Sequence, residues 1–301
     1  MKRVAFIMVN YDGGEETFLS ARSVLEDLSE NDILVLVDNG SSDGSGKRTV
    51  HQLTPIHYFS HEQNLPFSAA TNIGIRWALE EGYSYIGLIN PDVRVKPGMT
   101  ETLVNRLKNS GKEKIGAVSP VMVFDQPANT IWFAGGNIYW LFSWLANRGI
   151  NKPATQAIRF GGFTAYLTGC CWLAPASVWK MVGLLDDSYA MYVEDVDWSY
   201  RARLQGYHLM VANDALLIHR LSLSTGGGRT PFKMTYRTLA SRLFFKRYTP
   251  KCLRPLQLIL AWIPVLLYYL MLRLKHENEA ASAFLKASLQ PLQDPVKWLP
   301  E

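Results

Sequence analysis

Cysteine is scarce in this chain, which has three among 301 residues. Two of them, Cys170 and Cys171, are adjacent, and this spacing fits neither a disulfide framework nor the paired ligands of a zinc site. So few thiols without a disulfide pattern are typical of a reducing, cytosol-facing compartment. The first apolar run, Val4–Val9, is too short for a signal peptide and is better interpreted as a strand.

Acidic residues are missing from a long C-terminal stretch. No aspartate or glutamate occurs between Ala215 and His276, whereas this stretch holds eleven lysines and arginines. A basic block of this kind indicates an anionic partner, either nucleic acid or an anionic membrane surface. No recognisable nucleic-acid-reading module accompanies it, so we do not expect nucleic acid as a partner.

Long uncharged runs are also few, and one stands out at Leu256–Leu272. It has 17 residues without a charge, fewer than the about 20 that a spanning helix needs, and Pro264 interrupts it. Basic flanks together with Trp262 favour a segment that lies in the membrane interface. The alternatives are a soluble core helix, a contact in a homodimer, and a true membrane span.

Short apolar runs alternate with helical patterns in the first part of the chain. The predicted order is strand Val4–Val9, helix Glu15–Leu28, strand Ile33–Val37, strand Ile56–Phe59, helix Ala69–Glu80 and strand Tyr85–Ile89. This alternation predicts an α/β protein with a mostly parallel sheet and helices on both faces. No G-x-G-x-x-G motif follows the first strand, which argues against an NAD-dependent oxidoreductase.

Three predicted strands end in polar residues. The segments are Asn10-Tyr11-Asp12, Asp38-Asn39 and Asn90-Pro91-Asp92. A single polar strand end is explained by ordinary turn chemistry. In doubly wound sheets, however, ligands bind beyond the carboxyl ends of the strands. Three such ends together therefore indicate a ligand site at one edge of the sheet.

Aromatic residues and glycine are frequent in the middle segment, residues 116–173. Aromatic rings stack on sugar faces, so these residues would suit an acceptor groove. Packing in the hydrophobic core is the other interpretation.

The densest acidic pattern is Glu194-Asp195-Val196-Asp197, at the start of a predicted helix that ends at Gly206. The helix dipole explains one or two acidic residues in a first turn, but three exceed what capping requires. Asp195 and Asp197 lie two positions apart and cannot share a helix face. We expect one of them to serve a site and the other to make structural bonds.

Carboxylates of this kind suit transfer of a group to a hydroxyl, which needs a base to remove the proton. A departing diphosphate needs a hard cation with oxygen ligands. Asp92 at a strand end is the natural ligand, and His219, after the apolar run Ala215–Ile218, is a candidate second one. The glycine-rich Ser222–Arg229 lacks the spacing of a phosphate loop and is predicted to be a mobile flap.

The chain resembles the family-2 inverting glycosyltransferases of GT-A fold, and within them the bacterial rhamnosyltransferase-like branch. The resemblance covers about residues 4–250 and rests on an ordered set of motifs: VNYDGG, VLVDNGSSDGS, NLPFSAATNIGIRWAL, LINPDV, IWFAGG, LTGCCWL, YVEDVDWSYRARLQGY and IHR. It implies a Rossmann-like nucleotide-binding sheet and transfer of a sugar with inversion. The implied donor is a nucleotide sugar, with dTDP-rhamnose favoured over UDP sugars.

The resemblance also implies roles for individual residues. It implies that the nucleoside contacts Asn10, Tyr11 and Asp38. It also implies that Asn64, Phe67 and Asn72 line the donor pocket. Asn90 and Asp92 stand where the family has its Asp-x-Asp metal motif, with His219 completing the shell around Mg²⁺ or Mn²⁺. Asp195 is the implied catalytic base, supported by Glu194. Asn90 departs from the family pattern, because it leaves a single carboxylate in that motif for the metal.

These observations predict a glycosyltransferase domain at residues 1–250, with a donor-binding half at about 1–115 and an acceptor-binding half at about 116–250. Residues 251–301 form a basic, apolar helical segment. The expected acceptor is a lipid-linked or cell-surface glycan, and the expected location is peripheral, on the cytoplasmic face of the inner membrane. The alternative is a catalytically inactive protein of the same fold that binds a nucleotide sugar or acts as a scaffold.

Overall fold

The computed structural model describes residues 3–109, 111, 113–220 and 228–297. Its strands are β1 (Val4–Asn10), β2 (Ile33–Asn39), β3 (Ile56–His61), β4 (Tyr85–Ile89), β5 (Val93–Val95), β6 (Ile115–Phe124), β7 (Ile131–Phe133), β8 (Gly136–Tyr139), β9 (Trp144–Asn147), β10 (Gly162–Thr164), β11 (Cys171–Pro175) and β12 (His208–His219). Most of the predicted flap Ser222–Arg229 lies outside the described residues.

The described α-helices are α1 (Gly14–Leu25), α2 (Ser45–Gln52), α3 (Phe67–Glu80), α4 (Met99–Lys108), α5 (Ala157–Phe160), α6 (Ala176–Val182), α7 (Glu194–Leu204), α8 (Pro231–Tyr248), α9 (Arg254–Leu260), α10 (Trp262–Leu274) and α11 (Asn278–Leu289). The predicted helix Glu15–Leu28 ends earlier, at Leu25. The amide of Leu28 still donates to Val24 O at 3.1 Å, so the chain continues as a turn.

One large sheet organises the molecule, with the main strand order β10-β12-β6-β11-β4-β1-β2-β3. The pairs β1–β2, β1–β4 and β2–β3 are parallel, as the alternating pattern predicts. The sheet becomes mixed beyond β4, because β11 runs antiparallel to both β4 and β6. An apolar run such as Cys171–Pro175 predicts a strand, but its direction depends on distant partners. The expected α/β class with a central sheet is confirmed.

The parallel strands extend beyond their apolar runs into the polar residues that follow. β1 ends at Asn10, β2 at Asn39 and β3 at His61. In the sheet register Asn10 pairs with Asp38, and Asp38 pairs with Ser60. The polar strand ends are therefore neighbours along one edge of the sheet, as the sequence predicts.

Three tryptophans form a packed group beneath this edge. Trp172 on β11, Trp179 on α6 and Trp198 on α7 are at most 1% exposed, and their ring centroids lie 4.4–5.0 Å apart. The Trp198 indole donates to Gly183 O at 2.9 Å. This packing fixes α7, which begins with the acidic residues, against β11.

The C-terminal helices pack on α8 on one side only. A small apolar cluster is shared by α8, α10 and α11: Met234, Leu272, Ala280, Ala281 and Phe284. The opposite side of the helical stretch Lys251–Leu274 is exposed, including Leu258 at 72% and Ile259 at 70%. By length and composition, this stretch of 24 residues, which contains an 18-residue window of mean hydropathy 1.8, could cross a membrane.

Replacing Trp198 by alanine should lower the free energy of unfolding by about 3–5 kcal/mol, because a fully buried indole is lost. Urea unfolding followed by circular dichroism measures this. The matched control is Trp262→Ala: its side chain is 49% exposed, and the loss should stay below about 1 kcal/mol. Equal losses in the two variants would contradict the packing role of Trp198.

Candidate active site

The polar side chains at the ends of β1 and β2 form one hydrogen-bonded group. Asn10 is fully buried, and its amide nitrogen lies 3.2 Å from Asp38 Oδ1, 3.0 Å from Ser41 Oγ and 2.9 Å from Ser45 Oγ. The side-chain amide of Asn10 thus forms its hydrogen bonds within the protein. Asn10 holds Asp38 and the turn after β2 in place, and its side chain does not face the cleft.

Asp38 lies beside the start of α2, where its Oδ2 accepts a hydrogen bond from the Tyr58 hydroxyl at 2.9 Å. Gly46 allows this approach, because a Cβ there would lie 2.2 Å from the same oxygen. Sequence analysis did not identify Tyr58 or Gly46, since a tyrosine in a strand and a glycine in a turn-rich region are ordinary features. Tyr11, which follows Asn10, is half-buried.

Asn39 connects the end of β2 to the segment before α3. Its amide donates to Asn64 Oδ1 at 3.0 Å and to Leu65 O at 2.9 Å, and its carbonyl oxygen accepts from Leu65 N at 3.1 Å. Asn39 is 3% exposed. Asn64 is therefore held close to the Asp38 end of the sheet, and Asn39 is a positioning residue that sequence analysis missed.

Phe67 opens α3 and faces the segment that precedes β11. An ideal Cβ at Gly169 would lie 3.9 Å from Phe67 Cε1 and 3.6 Å from Asp195 Oδ2. Gly169 is thus located between the Phe67 ring and the Asp195 carboxylate. The absence of a side chain there keeps the space between them open.

Asn72 is not part of this cleft. It is 1% exposed, and its amide donates to Leu185 O at 2.9 Å and to Asp187 Oδ1 at 3.0 Å. Its carbonyl oxygen accepts from Leu185 N at 3.0 Å. The side chain predicted to line the donor pocket instead ties α3 to the loop before α7, because these bonds use all of its polar atoms.

Asp92 and His219 lie next to each other at the β5–β12 pairing. His219 Nε2 is 3.3 Å from Asp92 Oδ1, and both residues are buried. The register pairs His219 with Val93, and the Arg220 amide donates to Asp92 O at 2.9 Å. The Trp132 ring packs edge-on against the imidazole at 4.3 Å between centroids. The two residues predicted to share a metal ion are therefore neighbours.

This pair fits a hard divalent cation. Two adjacent ligands at about 2.1 Å from one ion lie about 3 Å apart, close to the 3.3 Å between the two atoms. The structure's described residues contain no group of three or more His, Cys, Asp or Glu side chains that could enclose a metal. The other ligands would be phosphate oxygens of a substrate and water, which is usual for Mg²⁺.

The acidic residues of α7 divide into two roles. Asp197 is fully buried and accepts hydrogen bonds from the Tyr189 hydroxyl at 3.0 Å, the Tyr248 hydroxyl at 2.7 Å and Arg201 Nε at 2.6 Å. Asp197 is therefore saturated by structural bonds. This agrees with the expectation that only one of Asp195 and Asp197 faces a site.

Asp195 is partly exposed and is held by backbone amides. Its Oδ2 accepts from Gly169 N at 2.6 Å and its Oδ1 from Val196 N at 2.7 Å. Burial raises the pKa of Asp195, and these amides act in the opposite direction. Burial, and then the charge of Asp195, raises the pKa of Glu194 well above its usual range. Both carboxyls are thus poised for proton transfer nearer neutral pH than an exposed carboxyl.

The backbone just before α7 is strained. Tyr192 and Val193 have φ values of 67° and 70°, a left-handed conformation that is unusual for a bulky residue and rarer still for a β-branched one. Such residues cost of order 1–3 kcal/mol each and cluster at functional sites. The strain lies immediately before Glu194 and Asp195.

Two consecutive residues, Gly169 and Cys170, bring the predicted base and the predicted metal segment together. The Gly169 amide donates to Asp195, and Cys170 O accepts from the Asn90 amide at 2.9 Å. Asn90 itself is half-buried. Asp195 and the Asn90–Asp92 segment therefore lie on either side of one short stretch of chain, although more than 100 residues separate them in sequence.

Two basic side chains of α8 add positive charge at this point. Burial lowers the pKa of Lys233, and the nearby charge of Asp92 opposes this effect. The charge of Arg237 acts to lower the pKa of Asp195. Sequence analysis recognised the basic block as a whole but not these two residues. Their spacing of four, which places them on one helix face, was the available signal.

Comparison with known proteins identifies the family of this chain. Residues 6–176, more than half of the chain, match the family described as Glycosyl transferase family 2. The N-acetylglucosaminyl-diphospho-decaprenol L-rhamnosyltransferase of Mycobacterium tuberculosis (strain ATCC 25618 / H37Rv) is 27% identical over 267 residues, which cover 78% of this chain and 83% of the relative. The low-salt glycan biosynthesis hexosyltransferase Agl10 of Haloferax volcanii is 25% identical over 260 residues, covering 81% and 77%.

A solved structure, GalNAc-T7 with UDP, GalNAc and Mn²⁺, shares the fold at a TM-score of 0.59 and 13% identity. The superposition covers 80% of this chain, which spans about half, 48%, of that longer protein. The expected GT-A type of fold is confirmed. The chain belongs to glycosyl transferase family 2, in its rhamnosyltransferase-like branch, and is a glycosyltransferase.

Proposed function

We propose that the enzyme is an inverting, metal-dependent glycosyltransferase that transfers a sugar from a nucleotide sugar to a lipid-linked or cell-surface polysaccharide acceptor. One observation carries the proposal: Asp195 and the Asn90–Asp92 segment meet at Gly169–Cys170, with His219 beside Asp92. The rhamnosyltransferase relatives favour rhamnose as the transferred sugar, and the family resemblance favours dTDP as its nucleotide. UDP sugars are the alternative.

The donor nucleoside would bind at the ends of β1 and β2. Asp38 would accept a hydrogen bond from the pyrimidine or ribose, with Tyr11, Asn64 and Phe67 around it. Asn10 would act through Asp38, because its own amide is used inside the protein. The Asn10 amide and the Tyr58 hydroxyl hold the Asp38 carboxylate in a fixed position, and each of its oxygens keeps a second lone pair for the nucleoside.

Asp92 and His219 would hold Mg²⁺ or Mn²⁺, with Asn90 beside them. A bound cation would stabilise the charge that develops on the departing diphosphate. The side chain of Lys233 lies near enough to Asp92 for the charge of Asp92 to act on the pKa of Lys233. It would add a second positive charge on the α8 side of the same phosphates.

Asp195 would be the catalytic base. Its two amide hydrogen bonds fix the carboxylate, and Gly169 leaves space in front of it. The acceptor hydroxyl would give its proton to Asp195 while its oxygen attacks the anomeric carbon. The bond from that carbon to the diphosphate breaks on the opposite face, which inverts the centre. A raised pKa brings the base closer to the operating pH.

The exposed apolar helix supports peripheral attachment to an anionic membrane, and we place it on the cytoplasmic face. Helix α11, with Glu279 and Lys286, lies alongside α10. A spanning orientation would carry these charges into the bilayer, at a cost of several kcal/mol. The described cysteines are all free, and Cys252 is exposed, in keeping with a reducing compartment.

Replacing Asp195 by asparagine should reduce sugar transfer by about 100- to 10,000-fold, because the base is lost. Donor binding, measured by calorimetry with dTDP, should stay within about threefold of wild type. The control Asp214→Asn removes an exposed carboxylate that pairs with Arg106, and its turnover should be unchanged. Unchanged turnover in Asp195→Asn would remove this residue from the base role. A wild-type protein that binds the donor and transfers nothing would support the inactive scaffold.

The metal proposal is tested by thermal shift with dTDP in Mn²⁺ or in chelator. Wild-type protein should gain more stability from dTDP with Mn²⁺ than from dTDP alone, because the ion bridges the diphosphate to the protein. Asp92→Asn and His219→Ala should lose the Mn²⁺-dependent part, and His51→Ala, on the exposed side of α2, should keep it. An undiminished Mn²⁺ effect in both site variants would refute the assignment.

The membrane proposal is tested by flotation with vesicles of phosphatidylcholine and phosphatidylglycerol. Serine at four exposed helix positions should release the protein from the vesicles, since apolar contact is lost: Leu258, Ile259, Leu266 and Leu267. The control carries serine at four equally exposed apolar positions elsewhere: Ile158, Met181, Leu204 and Leu289. Equal flotation of the two variants would contradict the proposal.

A further inference from the structure

A groove of about 600 Å³ separates the C-terminal helices from the rest of the protein. One wall is a face of α8, another is the segment 142–145 that leads into β9, and the rest is formed by α9, α10 and α11. Its volume lies within the range of small-molecule sites, roughly 300–1,000 Å³. The residues assigned above to donor, metal and base do not line it.

The lining combines apolar walls with positive charge. The apolar part includes aromatic and branched side chains from all three walls: Trp144, Leu145, Phe245, Trp262, Val265 and Tyr268. The charged part consists of Arg237, Arg242, Lys246 and Arg254, and none of the lining residues is acidic. Such a lining complements a ligand that has both a hydrocarbon part and an anionic part.

The basic residues of the groove differ in whether their side chains donate hydrogen bonds to other residues of the protein. Arg242 donates to Ala287 O and Gln290 O, and Arg254 donates to Thr249 O and Lys246 O. Arg237 and Lys246 are exposed, and neither side chain makes a hydrogen bond or ion pair with a described residue. These two can bind an anion without giving up a bond in the protein.

The groove extends from Arg237 on α8 to the exposed apolar helix. The charge of Arg237 also acts on the Asp195 carboxylate, so Arg237 is the lining residue on the active-site side. At the other side, Leu258 and Trp262 line the groove and are 72% and 49% exposed on the apolar surface. A ligand in the groove would therefore have one end at Arg237 and the other at the proposed membrane surface.

We propose that this groove binds the acceptor as a long-chain lipid phosphate or diphosphate. Arg237 holds the phosphate, Lys246 adds positive charge further along the same groove, and the hydrocarbon chain lies along Trp262, Val265 and Tyr268 toward the bilayer. The glycan on the phosphate then extends toward Asp195. This assignment rests on the proposed function, because it gives the proposed class of acceptor a binding site.

Calorimetry with geranyl diphosphate tests the groove without any transfer reaction. The full chain is bound to nanodiscs of phosphatidylcholine and phosphatidylglycerol with chelator present, so that the diphosphate cannot bind through a metal, and heats from empty nanodiscs are subtracted. Geranyl diphosphate should bind at least about tenfold more tightly than geraniol or inorganic pyrophosphate, because only it has both parts. Equal affinity for geranyl diphosphate and pyrophosphate would overturn the proposal.

Two substitutions separate the two parts of the ligand. Ala261→Trp fills the groove and should weaken both geraniol and geranyl diphosphate. Arg237→Gln should weaken geranyl diphosphate by about tenfold and leave geraniol unchanged, since a charge-assisted hydrogen bond is lost. The controls Leu267→Trp and Lys275→Gln change exposed positions on the same helical stretch that do not line the groove, and both should bind like wild type.

Unchanged binding of geranyl diphosphate to Ala261→Trp and Arg237→Gln would overturn the proposal. A protein that binds none of the probes, but whose mass in light scattering changes with Ala261→Trp, would show that the groove is a contact between two copies. The assignment of the groove and the proposed function fail in different ways. Probe binding without any transfer refutes the function, whereas transfer with an unaltered acceptor KM in both variants refutes the groove.

Discussion

The hydrogen bond from the Gly169 amide to the Asp195 carboxylate is the interaction on which the site depends. The next residue, Cys170, accepts from the Asn90 amide and leads into β11. Because β11 is a central strand between β4 and β6, this short stretch of chain cannot move independently of the sheet. The distance between the base and the Asp92–His219 pair is therefore set by the core, which is the rigidity that a preorganised site needs.

Charge at the site is balanced by groups from several elements. Glu194 and Asp195 are adjacent carboxyls in a recess, and burial raises the pKa of both. The backbone amides that bind Asp195 and the amino end of α7 favour its ionised form. The positive charge of Arg237 acts in the same sense. Burial thus raises the pKa of Asp195 while the amides and Arg237 oppose that rise, and a raised pKa makes the carboxylate of the proposed base a stronger proton acceptor than an exposed one.

Local sequence patterns were sufficient to predict part of the fold and part of the candidate site. The parallel strands, the polar strand ends and the different roles of Asp195 and Asp197 all follow from periodicity over a few residues. The antiparallel direction of β11 does not follow from a local pattern. Neither do the hydrogen bonds that join Asn72 to Leu185 and the Tyr248 hydroxyl to Asp197. These depend on contacts between residues far apart in sequence, which no local pattern specifies. The pairing of Asp92 with His219 was expected from their positions after apolar runs, and the family resemblance implied it as well.

Helix α8 contacts both the start of α7 in the active-site region and the C-terminal helices. Tyr248 near its end bonds Asp197, while Met234 near its start belongs to the apolar cluster shared with α10 and α11. The proposed boundary at residue 250 therefore divides the sequence but not the packing. A chimera that exchanged only the C-terminal tail between relatives would leave one face of α8 mismatched. Helix α8 therefore belongs mechanically to both units, and a displacement of the C-terminal helices would reach the Asp197 hydrogen bonds at the start of α7 through a single rigid element.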